Sequence, residues 1–535
     1  MEQMSRRLLL ALALCGGLLA ARATFSEDHA SRPPLLPDAA GGLFDDGPHP
    51  PYDGMVSNSV TQLRLVVEGA DTLLFASNSF GVMRSLDFGR TFVTYTDSSG
   101  VGRGGVCGLA AVPGLLAAAT VIDTSIADVQ GAGTGIGFSL DRGASWTWLE
   151  QPIDEVFDTS IDPHQWVAYD CETGDSLGWL IELPNRTPVE NISWGLALEG
   201  DSAIWAASFA GGFRRYSLAT ECWRLQVPDD DRFQPVDHLN HRAFSVLASR
   251  GGIWAGSAGG LNFLPWDSLH APGHSALGQG WRHFDFQHPQ LDDTPTITGN
   301  WVVTMEQNPL PDGSDEVWVA GWATFASVGD YYGLSWTGDD GASWTEIEDL
   351  RGEKIWDLAF DGDDVWVATD AGLWKSNEHG AAGSWSRYGA IRDDVTGRQM
   401  LTETIYAVKV AGGRLLVGTP RGLFSSADRG NTWHSTHHEP SGPLFFPNPF
   451  SPRVHDKATV AVKAARAGGV SIRIYDFAMD LVKTVADGAP VPAGQSIEFY
   501  WDGSNRQGDP AANGVYFYTV EGPGISTWGK LMVVK

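Results

Sequence analysis

Positive charge, cysteine and long apolar runs are all scarce in this chain of 535 residues. Basic residues number 36 against 65 acidic ones, a formal net charge of −29, and no Lys/Arg cluster stands out. A phosphate backbone would be repelled, which argues against a nucleic-acid partner. Beyond the first two dozen residues no stretch is long and apolar enough to span a bilayer. No P-loop, dinucleotide fingerprint or nucleophile elbow is present, and no cofactor is expected. Charged residues make up only 19%, while Gly (64) and Trp (22) are abundant. That balance is unlike helical bundles or disordered chains and typical of turn-rich β architecture.

The chain is too long for one ordinary domain and suits a large repeat domain plus a small one. Arg6 and Arg7, the apolar run from Leu8 to Ala20, and Ala21-Arg22-Ala23 read as a signal peptide over residues 1–23, cut after Ala23. The mature protein is therefore expected outside the cytoplasm, with no transmembrane segment. A lipoprotein signal at Cys15 fits badly because bulky Leu14 precedes it. Cys107 lies in the apolar stretch from Val106 to Val112 and reads as a buried thiol. Cys171 and Cys222 sit near polar turns and are a possible disulfide in an oxidising compartment, a pairing the residues leave open.

After a linker over 24–58, one pattern recurs through 59–437: an apolar strand ending in a small residue, a gap, then Gly and an apolar residue opening the next strand. It stands at Leu73–Ser77, Leu115–Ala119, Ile204–Ser208, Ile253–Ser257, Val317–Gly321, Val365–Thr369 and Leu415–Thr419. Most copies are about fifty residues apart, and each follows another apolar strand, which makes about four short strands per unit. The predicted fold class is all-β: a single β-propeller of about seven four-stranded blades, each sheet burying both faces against its neighbours. Continuous runs such as Val365-Trp366-Val367-Ala368 fit strands buried on both sides. Two insertions interrupt the spacing, near 151–191 and 322–332, and project as loops where binding usually lives. An eighth, degenerate blade inside 151–191 is the competing reading.

The segment Ser139-Leu-Asp141-Arg-Gly143-Ala-Ser145-Trp146 resembles the Asp-box hairpin of sialidase-like, sortilin-like and xyloglucanase-like propellers. Similar copies run from Ser85 to Phe92, Thr337 to Trp344 and Ser426 to Trp433, and a stretched copy with Glu378 for the Asp runs from Ser376 to Trp385. The carboxylate accepts backbone N–H groups across the turn, so Asp87, Asp141, Asp339 and Asp428 are expected to be structural and not catalytic.

A linker over 438–445 leads into a segment, 446–535, that resembles the immunoglobulin-like domain of the flagellar hook-capping family and the type IX secretion C-terminal sorting domains. The matching residues are Phe446-Pro-Asn448-Pro449-Phe450, Val470-Ser-Ile472-Arg-Ile474-Tyr475-Asp476, Ala493-Gly494, Trp501-Asp502-Gly503 and Asn513-Gly514-Val515-Tyr516-Phe517-Tyr518. Asp480 departs from the Gly usual there. The resemblance implies a β-sandwich read by outer-membrane secretion machinery, on the extracellular side or cell surface of a Gram-negative-type bacterium; a plain structural sandwich is the alternative. Val470, Ile472 and Ile474 alternate with polar residues, as a half-buried strand requires.

Candidate chemistry is sparse. His434, His437 and His438 lack the partners of a metal site and read as solvated linker, and no metal is expected. Asp361-Gly-Asp363-Asp364 and Asp312-Gly-Ser-Asp315-Glu316 lack calcium-loop spacing and read as hairpin turns. Asp229-Asp-Asp231 reads as a solvated loop. Neither the arginine triad of a sialidase nor the acid pair of a glycoside hydrolase can be assigned, so catalytic residues stay unknown. Trp166, Trp179, Trp322, Phe325, Tyr331 and Tyr332 in the inserts are the candidate ligand-binding residues for a glycan or protein at the propeller face; loop anchoring is the competing role. A binding or scaffolding module is the favoured reading, with an Asp-box glycoside hydrolase or a cell-envelope assembly factor as alternatives.

Overall fold

The computed structural model describes residues 52–535 except 56, 69–70, 123–130, 154–165, 170–175, 182–184, 186, 229–238, 272–279, 287–295, 325–328, 389–390, 395–399, 401–403, 421, 437–444, 447, 449, 454–456, 465 and 494–495; between 166 and 181 it describes backbone alone. The chain divides into two compact units, one up to His438 and one from Glu439.

The first unit is a ring of seven antiparallel sheets, each with four strands in sequence order from the axis outward. Blade 1 comprises Leu63–Glu68, Asp71–Asn78, Gly81–Ser85 and Val93–Thr96, and Tyr52–Asp53 adds a fifth, outermost strand. Blades 2 to 7 open with the inner strands Gly105–Val112, Ser193–Glu199, Ala243–Ala248, Trp301–Pro309, Ile355–Asp361 and Ala407–Ala411. The second strands of blades 3, 4 and 6 are buried at every position, which explains why they read as continuous apolar runs. Trp205, Trp254, Trp318 and Trp366 are wholly buried there, each filling the gap between diverging blades. Near the axis the sheets converge instead, and at two inner-strand positions a side chain would collide with the next blade. A Cβ on Gly108 would lie 2.7 Å from Ser193 O of the next blade, and one on Gly195 would lie 2.8 Å from Phe244 O of the blade after it.

Those contacts also decide the blade count. The inner strands of blades 2 and 3 are direct neighbours, and among the described residues of 151–191 the strands Trp166–Tyr169 and Ser176–Ile181 pair as a two-stranded sheet separate from the blades. The ring has seven blades, not eight.

Every blade is completed within its own stretch of chain, so the ring closes by packing and not by a shared strand. Val60, Leu63, Leu74 and Met83 of blade 1 form one apolar cluster with Ala407, Leu416 and Leu423 of blade 7. Val60 N–H donates to Thr419 O (2.9 Å), and the Thr436 hydroxyl to Gly89 O (2.7 Å).

The S-x-D-x-G-type hairpins join third to fourth strands and share one geometry. In blade 5, Asp339 accepts the Ser343 N–H (2.8 Å) and hydroxyl (2.6 Å) and the Thr337 hydroxyl (2.8 Å), while Thr337 accepts the Gly341 N–H (2.9 Å). Asp87, Asp141 and Asp428 repeat the pattern. Partial burial would raise the carboxyls of Asp87, Asp141 and Asp339, but these hydrogen bonds outweigh it and hold them below the ordinary value; at Asp428 the Thr432 N–H is the leading cause of the same shift. In the copies of blades 1, 2, 6 and 7 the residue after the acid has positive φ (Phe88 61°, Arg142 63°, His379 53°, Arg429 58°), and that residue reaches the preceding blade. The Arg414 guanidinium lies 3.9 Å from the Phe88 ring, Arg142 pairs with Glu68 (2.5 Å), His379 Nε2 lies 2.9 Å from Glu316, and Arg429 pairs with Asp364 (3.3 Å). The hairpins are therefore clasps between blades, with each left-handed residue held by its neighbour.

The second unit is a β-sandwich. Phe445–Phe446, Ala458–Lys463 and Ser496–Trp501 form one sheet; Leu481–Val491, Gly468–Tyr475, Gly514–Gly522 and Ile525–Val533 form the other. Val470, Ile472 and Ile474 point inward and pack with Val460, Trp501, Tyr518 and Leu531. Asn448 clamps the last strand, donating to Lys530 O and accepting from Met532 N–H (both 2.9 Å).

Replacing Asp339 by Ala is expected to cost about 1 kcal/mol at pH 7, the lower range for a cap-like carboxylate because the group is solvent-exposed. Its folded pKa is depressed, so this stabilisation is present above the unfolded value and lost as pH falls through the folded one. The gap between the urea midpoints of wild type and variant should therefore be full at pH 7 and shrink as pH falls below the ordinary carboxylate range; a constant gap would contradict a carboxylate role.

Candidate functional site

Backbone irregularity builds the site. In five blades the inner strand shifts register against its partner at one residue: Cys107, Trp194, Phe244, Val303 and Trp356. An extra residue of this kind bends the strand and re-aims its side chain. Tyr406 in blade 7 and Gln62 in blade 1 stand at the same level, just ahead of their inner strands; Tyr406 N–H donates to Gly418 O (3.0 Å), and Gln62 O accepts Ser77 N–H (2.9 Å). All seven residues line one axial cavity of about 140 Å³. Its floor is made by Arg64, Met305 and Asp357.

This end of the ring also carries the connections between second and third strands and between blades, hence both inserts, while the hairpin clasps occupy the opposite end. Buried aromatic rings pack beside the lining residues across blades 3 to 7. Phe209 and Phe244 have centroids 6.0 Å apart, Phe244 and Trp301 6.1 Å, Trp322 and Trp356 4.8 Å, and Trp356 and Tyr406 5.0 Å, the last two edge-on.

Gln62 is fixed by its amide group, which donates to Cys107 O (2.7 Å) and Trp194 O (3.3 Å). Gln62 Oε1, Trp194 Nε1 and Trp356 Nε1 are buried with no hydrogen-bond partner among the described residues. Cys107 is buried in the same wall, and burial pushes its thiol up to about 12, so it is inert as a nucleophile at neutral pH. Below the cavity, Lys409 of blade 7 bonds Glu306 of blade 5 (2.6 Å), Asp357 of blade 6 (3.0 Å) and Leu358 O (2.9 Å). The other Asp357 oxygen accepts Val408 N–H (3.0 Å). Burial pushes the Asp357 carboxyl above its ordinary value, Lys409 opposes that shift and Glu306 adds to it.

The sequence-predicted residues fall into three groups. Trp322 is 2% exposed, donates its indole N–H to Ile355 O (3.1 Å) and packs against Tyr332 and Trp356, the geometry of an anchor. Tyr331 lies under the Arg351 guanidinium (3.8 Å), and burial, then Glu346, hold its hydroxyl well above the ordinary value. Lys354 lies over Tyr332 (5.1 Å). Trp166 and Trp179 sit on the 166–181 hairpin, whose side chains are outside the described residues, as are Phe325, Asp229 to Asp231, His437 and His438. Cys222 is disulfide-bonded; Cys171 lies outside the described residues. Asp312 accepts Ser314 N–H (2.9 Å) as a local turn, Asp361 accepts Gly413 N–H (2.7 Å), and Asp364 pairs with Lys375 (3.1 Å). Among the described residues no group of three His, Cys, Asp or Glu is placed to hold a metal ion.

The cavity-lining residues Gln62, Trp194, Phe244, Trp356 and Tyr406 were not singled out by sequence reasoning. Their spacing to the second strand varies: Phe244, Trp356 and Tyr406 stand nine residues ahead of Ile253, Val365 and Leu415, Trp194 ten ahead of Ile204 and Gln62 eleven ahead of Leu73, so no single column marks them.

No curated protein matches the chain. Several solved structures are similar. PorZ, a surface component of the type IX secretion system of Porphyromonas gingivalis, is 15% identical, with 88% of this chain and 70% of that one covered and a TM-score of 0.34. YCF48 from Cyanidioschyzon merolae is 13% identical over 72% of this chain and 100% of that one, TM-score 0.36. An ancestral GH74 enzyme is 13% identical over 89% and 62%, TM-score 0.43. Residues 451–524 match the family described as the FlgD Ig-like domain, so the chain is a seven-bladed β-propeller followed by a domain of that type.

Proposed function

We propose that the protein is an exported binding or scaffolding module, whose propeller takes a ligand at the axial mouth and whose C-terminal domain serves secretion or surface attachment. The observation that carries the first half is the convergence of one residue from the start of each blade, four of the seven aromatic, on one cavity. Enclosed apolar walls with a few fixed polar groups are the usual form of a small-ligand site. The second half rests on the FlgD Ig-like match and on the clamp of Asn448 on the final strand. Delivery through outer-membrane machinery via 446–535, to the surface or exterior of a Gram-negative-type cell, is the placement this reading implies.

Glu306 and Asp357 support a second reading, a glycoside hydrolase, because two carboxylates stand in or beside the cavity and one is raised by burial. Geometry weighs against it. Such enzymes hold the scissile bond between their acids, whereas here both acids clasp one ammonium, and both Asp357 oxygens are engaged. The triad ties three blades together at the axis.

Two outcomes follow. On a glycan array and in turnover assays with polysaccharides, the full chain should bind without releasing product, and Trp356→Ala should weaken binding at least tenfold; product formation abolished by Asp357→Asn would establish the hydrolase instead. Lys409→Met should cost about 3–5 kcal/mol in urea unfolding by stranding two carboxylates, and adding Glu306→Gln and Asp357→Asn should recover most of it. An undiminished midpoint in Lys409→Met would contradict the triad's structural role.

A further inference from the structure

We infer that the axial cavity recognises a single neutral sugar ring end-on, the terminal residue of a glycan and not its interior; this rests on the binding reading above. Size comes first. A cavity of about 140 Å³, close to the roughly 150 Å³ that holds one benzene in an engineered protein cavity, takes no more than one sugar ring, whose outer substituents must project through the mouth.

Access follows from topology. The wall is the inner strands of all seven blades, so entry is along the axis. The lining ends at Arg64, Met305 and Asp357, and the next level is taken by Glu306 and Lys409, bonded to each other. A chain end entering along the axis meets the Glu306–Lys409 pair, which bridges blades 5 and 7.

Chemistry selects the ligand class. Trp194, Phe244, Trp356 and Tyr406 supply aromatic faces suited to the C–H face of a sugar. The Arg64 guanidinium makes a hydrogen bond to Leu63 O (2.8 Å) through one nitrogen, which leaves further N–H donors. Gln62 Oε1 and the indole N–H groups of Trp194 and Trp356, all on lining residues, are buried without partners among the described residues. A hydroxyl group can accept from the remaining Arg64 donors, whereas an apolar or quaternary ammonium ligand would leave them unpaired. Arg64 and Lys409 balance Glu306 and Asp357, which favours a neutral ring over a charged one.

The test titrates the full chain with glucose, galactose, mannose, N-acetylglucosamine, fucose and rhamnose, and with linear oligosaccharides of two to four residues ending in each, following tryptophan fluorescence and calorimetry. At least one monosaccharide should bind, and oligosaccharides ending in it should bind within about tenfold of it, because added rings lie outside the cavity. Arg64→Met and Trp356→Ala should each weaken that binding at least tenfold while the circular dichroism spectrum of the folded chain is retained. Affinity that climbs a hundredfold with length while no monosaccharide binds would overturn end-on recognition and leave glycan binding standing. No response to any sugar would overturn the inference together with the glycan form of the binding reading.

Discussion

Sheet packed on sheet around a closed circle is the constraint from which the other features follow. A four-stranded sheet whose second strand is buried at every position, as in blades 3, 4 and 6, needs a neighbour on each face. The first and last blades meet that need only by finding each other, and they do so through the Val60, Leu63, Leu416 and Leu423 cluster without exchanging a strand. Radial geometry then dictates composition. Tryptophans fill the diverging rim, glycines and alanines the converging axis, and the axis is left as a narrow cavity.

The clasps and the site lie at opposite ends of the same strands. At one end the carboxylate-centred hairpins pin each third strand to its fourth and send a left-handed residue to the blade before. That stitching holds the blades in register, so the opposite end can bear long connections without loosening the ring. Between the two ends, the Lys409 triad ties blades 5, 6 and 7 through their inner strands. A fixed aromatic mouth is the consequence, and preorganisation of this kind is what a binding site gains from a rigid scaffold.

Much of this was legible in the residues, for definite reasons. Blade number could be counted because burial on both faces makes strands such as Val365–Thr369 conspicuous. The hairpin acids were readable because their partners are local, within four residues. The sandwich strand Gly468–Tyr475 showed its inward face through simple alternation. The cavity was not legible in this way. Its residues converge from positions as far apart as Gln62 and Tyr406, and their inward turn comes from a register shift that no local pattern announces. Trp322 stood out in an insert, yet its neighbours Ile355 and Trp356 belong to the next blade, so its buried, hydrogen-bonded position could be read only from the fold.

Native-state hydrogen exchange, resolved by strand, tests the closed ring most directly. If packing of blade 1 on blade 7 closes the circle, the inner and second strands of those two blades should be as protected as their counterparts in blades 3 to 5, all opening in one cooperative step. Protection that decays progressively from the middle blades toward both ends would mean an open stack, and would contradict the account.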